Sequence, residues 1–378
     1  MRVNRLIESL ERTDLDAYIV SREPNIYYYA GTISGGVLVA APGAEPLLLA
    51  PRLNLAIAQA QAQGCRVKPY TRSNLLGELV DALKPLDPQT IGFDSLTLDL
   101  HRKLGERLNG VELKASADLV WSMRRVKDAG EQELMRKAGE LADLGIAAIQ
   151  EHLREGMREY EVAAEAAYAM MRSGAEDLAF STIVASGPRS AYPHAGVTDR
   201  RIRRGDFVTI DLGATYKGYR SDITRTFIMG EPTEEQVKIY ETVLRANQTA
   251  LPEIKVGARG REVDQVARSI IEEAGYGEHF VHSLGHGVGL EVHEPPSLSR
   301  TSEDTLEPGN VVTDEPGIYI PGFGGVRIED TVLVTDSGPE RLTRFDKDLD
   351  AMRVCCLLYT SDAADEGLGV DLGGRRII

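Results

Sequence analysis

Two short segments of this chain repeat one another. Gly205-Asp206-Phe207-Val208-Thr209-Ile210-Asp211-Leu212-Gly213 aligns without a gap to Gly309-Asn310-Val311-Val312-Thr313-Asp314-Glu315-Pro316-Gly317 at a constant offset of 104. Four of the nine positions are identical, and a carboxylate fills the same slot in each, Asp211 and Glu315. Each copy leads into a glycine-containing turn and then a second strand-like stretch with a further acid, Asp222 in the first and Glu329 in the second. A duplicated half-domain with pseudo-two-fold symmetry accounts for this better than chance, and each half then carries a pair of acids.

If the first copy folds as a hairpin around Tyr216-Lys217-Gly218-Tyr219, Asp211 and Asp222 stand nearly opposite, within about one register step. Glu315 and Glu329 flank Pro321-Gly322-Phe323-Gly324-Gly325 in the same manner. Carboxylates that close repel unless a proton or a metal lies between them. Between the copies runs Ser283-Leu284-Gly285-His286-Gly287-Val288-Gly289-Leu290-Glu291-Val292-His293-Glu294, and four of the seven histidines fall within residues 279–293. Four acids and one histidine make a mainly oxygen site, suited to divalent Mn, Fe, Co or Zn. Two such ions neutralise the four carboxylates, whereas one leaves two charges buried. A pair of ions about 3.5 to 4 Å apart activates water and polarises a carbonyl, which is hydrolytic chemistry. Singly, each acid reads as a solvated turn residue; it is their order inside duplicated frames that makes a site.

Composition narrows the alternatives. The 378 residues carry 43 Lys plus Arg against 58 Asp plus Glu, a formal charge of -15, so the field of the molecule repels nucleic acid and anionic membranes. Three cysteines fit a reducing compartment. The opening residues lack a signal-peptide core and no run is long enough to span a membrane, so a cytoplasmic protein is expected. Gly285-His286-Gly287-Val288-Gly289 lacks the strand, turn and helix setting of a phosphate loop.

Along the chain, residues 1–120 alternate short helical and strand-like patterns and read as a small α/β domain. A charged interruption, Met123-Arg124-Arg125-Val126-Lys127-Asp128, marks a boundary, and residues 128–350 form the second, α+β domain. Its first helix is expected to bury Leu134, Ala138, Leu141, Leu144 and Ala148 as one stripe, and a second helix runs from about Glu159 to Arg172. Residues 356–378 show no periodicity, and CLLYTSDAADE and VDLGGRRII back-translate into transposase-type sequencing adapters. They are expected to be an appended, non-native tail. Without them the balance is 41 bases against 54 acids, or -13.

The frames IDLGATYKGYRSD, GHGVGLEVHEPP and EPGIYIPGFGGVRIED, carrying Asp211, Asp222, His286, Glu315 and Glu329, resemble those of the pita-bread metallopeptidases, specifically the Xaa-Pro dipeptidase and aminopeptidase P branch. The N-terminal part, including Asn25-Ile26-Tyr27-Tyr28-Tyr29-Ala30-Gly31, resembles the creatinase-like domain of that branch. The resemblance implies a pita-bread catalytic fold, with those five residues as ligands to two metals, usually Mn, with Co or Zn as alternatives. It implies that His194 assists the tetrahedral intermediate, that His293 contacts the scissile peptide and helps move protons, and that Glu315 is the general base. Arg327 is expected to support ligand charge from behind. Small peptides with proline second are the implied substrates, and a homodimer the implied assembly.

Two positions depart from that pattern. Ser297 stands where dipeptidases of this type often carry an arginine for the substrate carboxylate, with Arg300 as a possible replacement. Asp314 takes the place of an apolar strand residue, as Ile210 is in the first copy, and if buried must be paired or protonated. His279 and His282 read as surface or packing residues, and Tyr27 to Tyr29 as core and rim. A creatinase-like C–N hydrolase and a non-catalytic pita-bread binding protein are rivals that intact ligands disfavour; methionine aminopeptidase shares the ligands but not the N-terminal domain.

Overall fold

The computed structural model describes residues 1–354. The expected adapter tail, residues 356–378, lies outside the described residues.

The N-terminal part comprises α1 (Arg2–Leu10), β1 (Ala17–Val20), α2 (Glu23–Ala30), β2 (Val37–Ala40), β3 (Leu47–Pro51), α3 (Leu55–Gln61), β4 (Arg66–Tyr70), α4 (Leu75–Leu83), β5 (Thr90–Phe93), α5 (Leu98–Arg107) and β6 (Glu112–Ala115). Its mixed six-stranded sheet has the order β4-β3-β2-β1-β5-β6. Strand alternation explains why both faces are covered. In β1, Tyr18 and Val20 join a core with Val3, Leu6 and Ile26, while Ala17 and Ile19 join another with Leu79, Leu83 and Leu104.

Two elements here carry no legible periodicity. Five of the eight residues of α2 are buried, so it has no polar face to create a stripe; Pro24 starts it and Gly31, at φ 69°, ends it in the left-handed region. Conversely β6 buries no residue, being an edge strand.

The charged boundary is not a solvated linker. Residues Ala117–Arg124 form α6, and Arg124 and Lys127 are each only 2% exposed. Then α7 (Ala129–His152) starts at a capping box in which Asp128 accepts from the Glu131 amide and Glu131 returns the bond. Its expected stripe holds at Ala138 and Leu141, both fully buried, but Leu144 is 46% exposed, and the buried face runs through Met135, Ala138, Gly139, Leu141, Ala142, Gly145, Ile146 and Ile149. The reason is that two of its three glycines, Gly139 and Gly145, face the core. A Cβ on Gly139 would lie 2.3 Å from the Leu342 carbonyl, so close backbone packing, invisible to a count of apolar side chains, turns the helix.

The remaining elements are α8 (Glu159–Arg172), β7 (Asp177–Leu178), β8 (Ile183–Ser186), β9 (Phe207–Leu212), β10 (Ala214–Tyr216), β11 (Tyr219–Arg220), β12 (Ile223–Met229), α9 (Glu234–Ala250), α10 (Gly260–Glu273), β13 (Gly285–Gly287), β14 (Glu294–Leu298), β15 (Val311–Asp314), β16 (Gly317–Ile320), β17 (Gly324–Arg327), β18 (Asp330–Thr335), β19 (Gly338–Arg341) and β20 (Arg353–Val354). One sheet has the order β20-β12-β9-β8 and another β14-β13-β15-β18-β19, and they meet at an antiparallel bridge between Thr224 and Glu329. The pair α7 and α8 packs on the first half and α9 and α10 on the second, so helix pair and hairpin recur together. No helix among the described residues is long and apolar enough to cross a membrane.

Candidate metal centre

Strand register assembles the site. The turn between β10 and β11 is a two-residue loop, Lys217-Gly218, with both residues at positive φ, 46° and 77°. That is the turn whose twist matches paired strands. It sets Asp211 opposite Thr224, so Asp222 lies one diagonal step from Asp211 on the same face. In the second half the β15–β18 ladder stops at Asp314 opposite Asp330, and the β16–β17 ladder begins at Gly317 opposite Arg327. Both keep one register, and its continuation puts Glu315 opposite Glu329 in the gap. Pro316, lacking an N–H, helps to break the ladder there.

His286 enters from β13, which runs between β14 and β15. A Cβ on Gly285 would fall 2.0 Å from the Thr313 carbonyl oxygen, and one on Gly287 2.4 Å from that of Glu294. The glycines around His286 therefore serve strand packing, as their dismissal as a phosphate loop requires.

The structure brings together all five residues singled out in the sequence. His286 Nε2 lies 3.2 Å from Glu315 Oε1 and 3.8 Å from Asp222 Oδ2. Asp222, His286 and Glu329 present ligand atoms within 4.8 Å of one another. Arg327 donates to Asp211 Oδ2 at 2.7 Å, and the Thr224 hydroxyl to Glu329 Oε2 at 2.6 Å. Thr313 donates to Glu315 Oε1 at 3.0 Å. Asp211 Oδ1 and Asp222 Oδ1 are buried and have no hydrogen-bond partner among the described residues.

Electrostatics follow from crowding. Burial, then Glu329 and Asp211, push the Asp222 carboxyl well above its ordinary range; burial, then Glu315 and Asp211, do the same to Glu329. Asp211 is also raised, chiefly by burial, although Arg327 opposes this. Glu315 is the exception. Burial acts to raise it, but its contact with His286 and that residue's charge hold it down to about 2. Burial alone would lower His286, and the Glu315 partner raises it instead. Without cations the site keeps protons on some carboxylates. Divalent ions are the groups that can displace them, so unpartnered buried oxygens and a four-acid, one-imidazole donor set fit two such ions.

His194 and His293 sit on the exposed rim. The His293 ring packs 4.2 Å from that of His286, tilted by 49°. Burial, with His286 and His194 nearby, holds His293 below its usual pKa, so it stays neutral at neutral pH. The loop bearing His194 is tied down by Arg189, which pairs with the buried Glu159 and donates to the Ala195 carbonyl at 2.6 Å.

Arg327 does more than expected. Besides Asp211, it binds Thr224 Oγ1 at 3.0 Å and Tyr319 Oη at 2.9 Å, and Tyr319 Oη meets His282 Nε2 at 2.8 Å. His282 is thus part of a hydrogen-bonded chain reaching the ligands, which the reading as a packing residue did not include. Tyr319 and Thr224 were not singled out, yet parity could have found them: Glu315, Gly317 and Tyr319 share a face, as do Asp222 and Thr224. Ser297 lies across from His286 in the β13–β14 pairing, with its amide tied to Asp304 Oδ2 at 2.9 Å. Arg300 is exposed, 3.9 Å from Glu272, on the wall of a cavity of about 510 Å³ shared with His282. Asp314 is fully buried, neither of its oxygens has a hydrogen-bond partner among the described residues, and its carboxyl is pushed well up, first by burial.

Comparison with known proteins agrees with this architecture. Residues 133–336 match the profile of metallopeptidase family M24, and residues 2–126 that of the creatinase/prolidase N-terminal domain. An Xaa-Pro dipeptidase of Pyrococcus furiosus is 43% identical over 350 residues, covering 92% of this chain and 99% of that protein. The crystal structure of the prolidase from Pyrococcus horikoshii superposes with a TM-score of 0.87 at 43% identity, over 92% of this chain and 99% of the other. The X-Pro aminopeptidase of Thermotoga maritima superposes with a TM-score of 0.86 at 36% identity, over 93% and 99%. With its paired acids, their intervening histidine and its N-terminal sheet all in place, the chain belongs to metallopeptidase family M24 and carries a creatinase/prolidase-type N-terminal domain.

Proposed function

We propose that this protein is an Xaa-Pro peptidase, hydrolysing the bond between an N-terminal residue and proline. The observation that carries the reading is the convergence of Asp211, Asp222, His286, Glu315 and Glu329 beneath a rim bearing His194 and His293. Those five would hold two divalent ions, and we assign Mn. When bound, the ions polarise the scissile carbonyl and lower the pKa of water. Glu315, ionised as a ligand to the ions, would accept the proton of the attacking water and pass it to the proline nitrogen, which must be protonated to leave. His194 and neutral His293 donate hydrogen bonds as charge develops on the carbonyl oxygen. Arg327 and Thr224 keep Asp211 and Glu329 aimed.

Ser297 offers no cation for a substrate carboxylate, so we infer that tripeptides are accepted as well as dipeptides. The same reading includes a cytoplasmic homodimer in which the N-terminal domain of one subunit narrows the other's cleft. With Mn added, the full chain should cleave Ala-Pro and Ala-Pro-Ala and lose activity to EDTA. Cleavage of Met-Ala-Ala alone, or indifference to EDTA, would sink the reading.

A further inference from the structure

The boundary segment places two buried cations directly behind the loop that carries His293. Strand pairing of Gly287 with Glu294 closes residues 288–293 into a short loop, and His293 and Glu294 point to opposite sides of it. His293 faces the site. Glu294 turns inward, where Arg124 Nη2 binds Oε1 and Lys127 Nζ lies 3.4 Å from Oε2. Glu294 Oε1 also accepts the Glu291 amide at 3.0 Å across the loop, and a Cβ on Gly289 would lie 2.7 Å from its carboxylate.

The cluster extends to the N-terminal sheet. Arg124 Nη1 binds Glu291 Oε2 at 2.8 Å and Asn25 Oδ1 at 2.5 Å, and Asn25 donates to Asp94 at 2.7 Å. Arg22 closes on Glu291 from the other side, and the Trp121 ring lies 4.6 Å from the Arg124 guanidinium carbon. Arg124, Lys127 and Glu294 are 2%, 2% and 6% exposed. Ion pairs buried so deeply add little net stability over apolar packing, because desolvation cancels most of the attraction. What they do supply is direction: two cations fix both oxygens of one carboxylate, and with them the backbone beside His293.

We propose that Arg124 and Lys127 are positioning residues for His293, acting through Glu294 and coupling the N-terminal domain to the chemistry. This deepens the Xaa-Pro peptidase reading and rests on it. A loop released from the clamp still binds substrate through other contacts but misplaces the imidazole by a fraction of an ångström, which costs turnover rather than affinity.

The test is a double-mutant cycle on the full chain loaded with Mn, using Ala-Pro-Ala. Glu294→Gln keeps shape and removes the charge; it should lower kcat by about tenfold or more, with KM changed by less than about threefold and metal content unchanged. In a His293→Ala background the same substitution should alter kcat by less than about twofold, because its route of action is gone. Arg124→Lys, which preserves the charge, is run through the same cycle. It should lower kcat measurably but by less than Glu294→Gln does, and it substitutes for Glu294→Gln if that variant does not fold. Equal losses in both backgrounds, or wild-type kcat in the folded single variant, overturn the proposal. A wild-type enzyme that fails to cleave Xaa-Pro peptides overturns the functional reading instead, a distinct result.

Discussion

The two half-copies reach the same chemistry by different registers. In the first, Asp211 faces Thr224, and its partner acid Asp222 is one diagonal step away. In the second, the ladder around the gap sets Glu315 directly opposite Glu329. Each half also holds the other's acid: Arg327 of the second binds Asp211 of the first, and Thr224 of the first binds Glu329 of the second. Duplication thus supplied two pairs of carboxylates, but the site exists only where the halves interlock, and His286 stands between them. The ionisation differs too. Both acids of the first copy are raised, whereas the second splits into a low Glu315 and a high Glu329. Without metal, then, the two copies bind protons differently.

The sharpest way to break this comparison is to exchange the roles. Glu315→Gln should lower kcat by about 10² to 10⁴-fold, the contribution of a general base, measured with saturating Mn so that weakened metal binding is not mistaken for lost proton transfer. Equal damage from Asp211→Asn under the same saturating conditions would show that the two copies are not functionally distinct.

Metal removal tests the shared electrostatics. Asp222 and Glu329 hold protons in the folded apo protein that they release when unfolded, because burial and neighbouring carboxylates raise them. The native apo state therefore binds more protons than the unfolded chain, and its stability falls as pH rises through those raised values. Divalent ions replace the protons. The gain in Tm on adding Mn to EDTA-treated protein should be larger at about pH 7.5 than at about pH 5, with about 2.7 kcal/mol expected at a hundred times Kd. A gain independent of pH would contradict the raised carboxylates.

Interlocking of the halves can be weakened from one side. Arg327→Lys keeps a positive charge but cannot serve Asp211, Thr224 and Tyr319 together. Mn affinity, by equilibrium dialysis, should fall by about 10 to 100-fold. No change would mean that each half holds its own metal ligands unaided.

How far the sequence alone reached depended on which physical signal each residue leaves. Asp211, Asp222, Glu315 and Glu329 were legible because a duplication frames them, and His286 because glycines mark close strand packing on both sides of it. Helix α8 was legible from its caps. Helix α2 was not, since burial of five of its eight residues leaves too few polar positions to show a period, and the α7 stripe was right at Ala138 and Leu141 but missed the turn towards Gly139 and Gly145, because glycines do not count as apolar residues. Arg124 and Lys127 were read only as part of a charged boundary. A charge in a sequence looks alike whether it faces water or Glu294, and only the fold brings Arg22 and Arg124 onto Glu291 and Arg124 onto Glu294.

The smallest expected effect concerns the one position where the second copy breaks the strand pattern of the first. Ile210 is buried among apolar neighbours, and Asp314 occupies the equivalent slot on the face turned away from the ligands, opposite Asp330 and within reach of the Lys347 charge. Burial dominates there, so the carboxyl is protonated when folded and ionises readily when unfolded. A folded pKa raised above the unfolded one gives stability that is complete in acid and lost as pH rises through the raised value. Asp314→Asn removes the titration while keeping size and polarity. It should therefore be more stable than wild type at neutral pH, by about 1.4 kcal/mol for each unit by which the folded carboxyl is raised above the unfolded one. The advantage should shrink towards zero as the pH falls below about 3, where the wild-type carboxyl is protonated in both states. Denaturant unfolding of the metal-loaded forms at two pH values decides it. If wild type and Asp314→Asn unfold with the same difference at both, Asp314 is ionised in the fold and held by Lys347, and the two copies differ there by an ion pair rather than by a neutral acid.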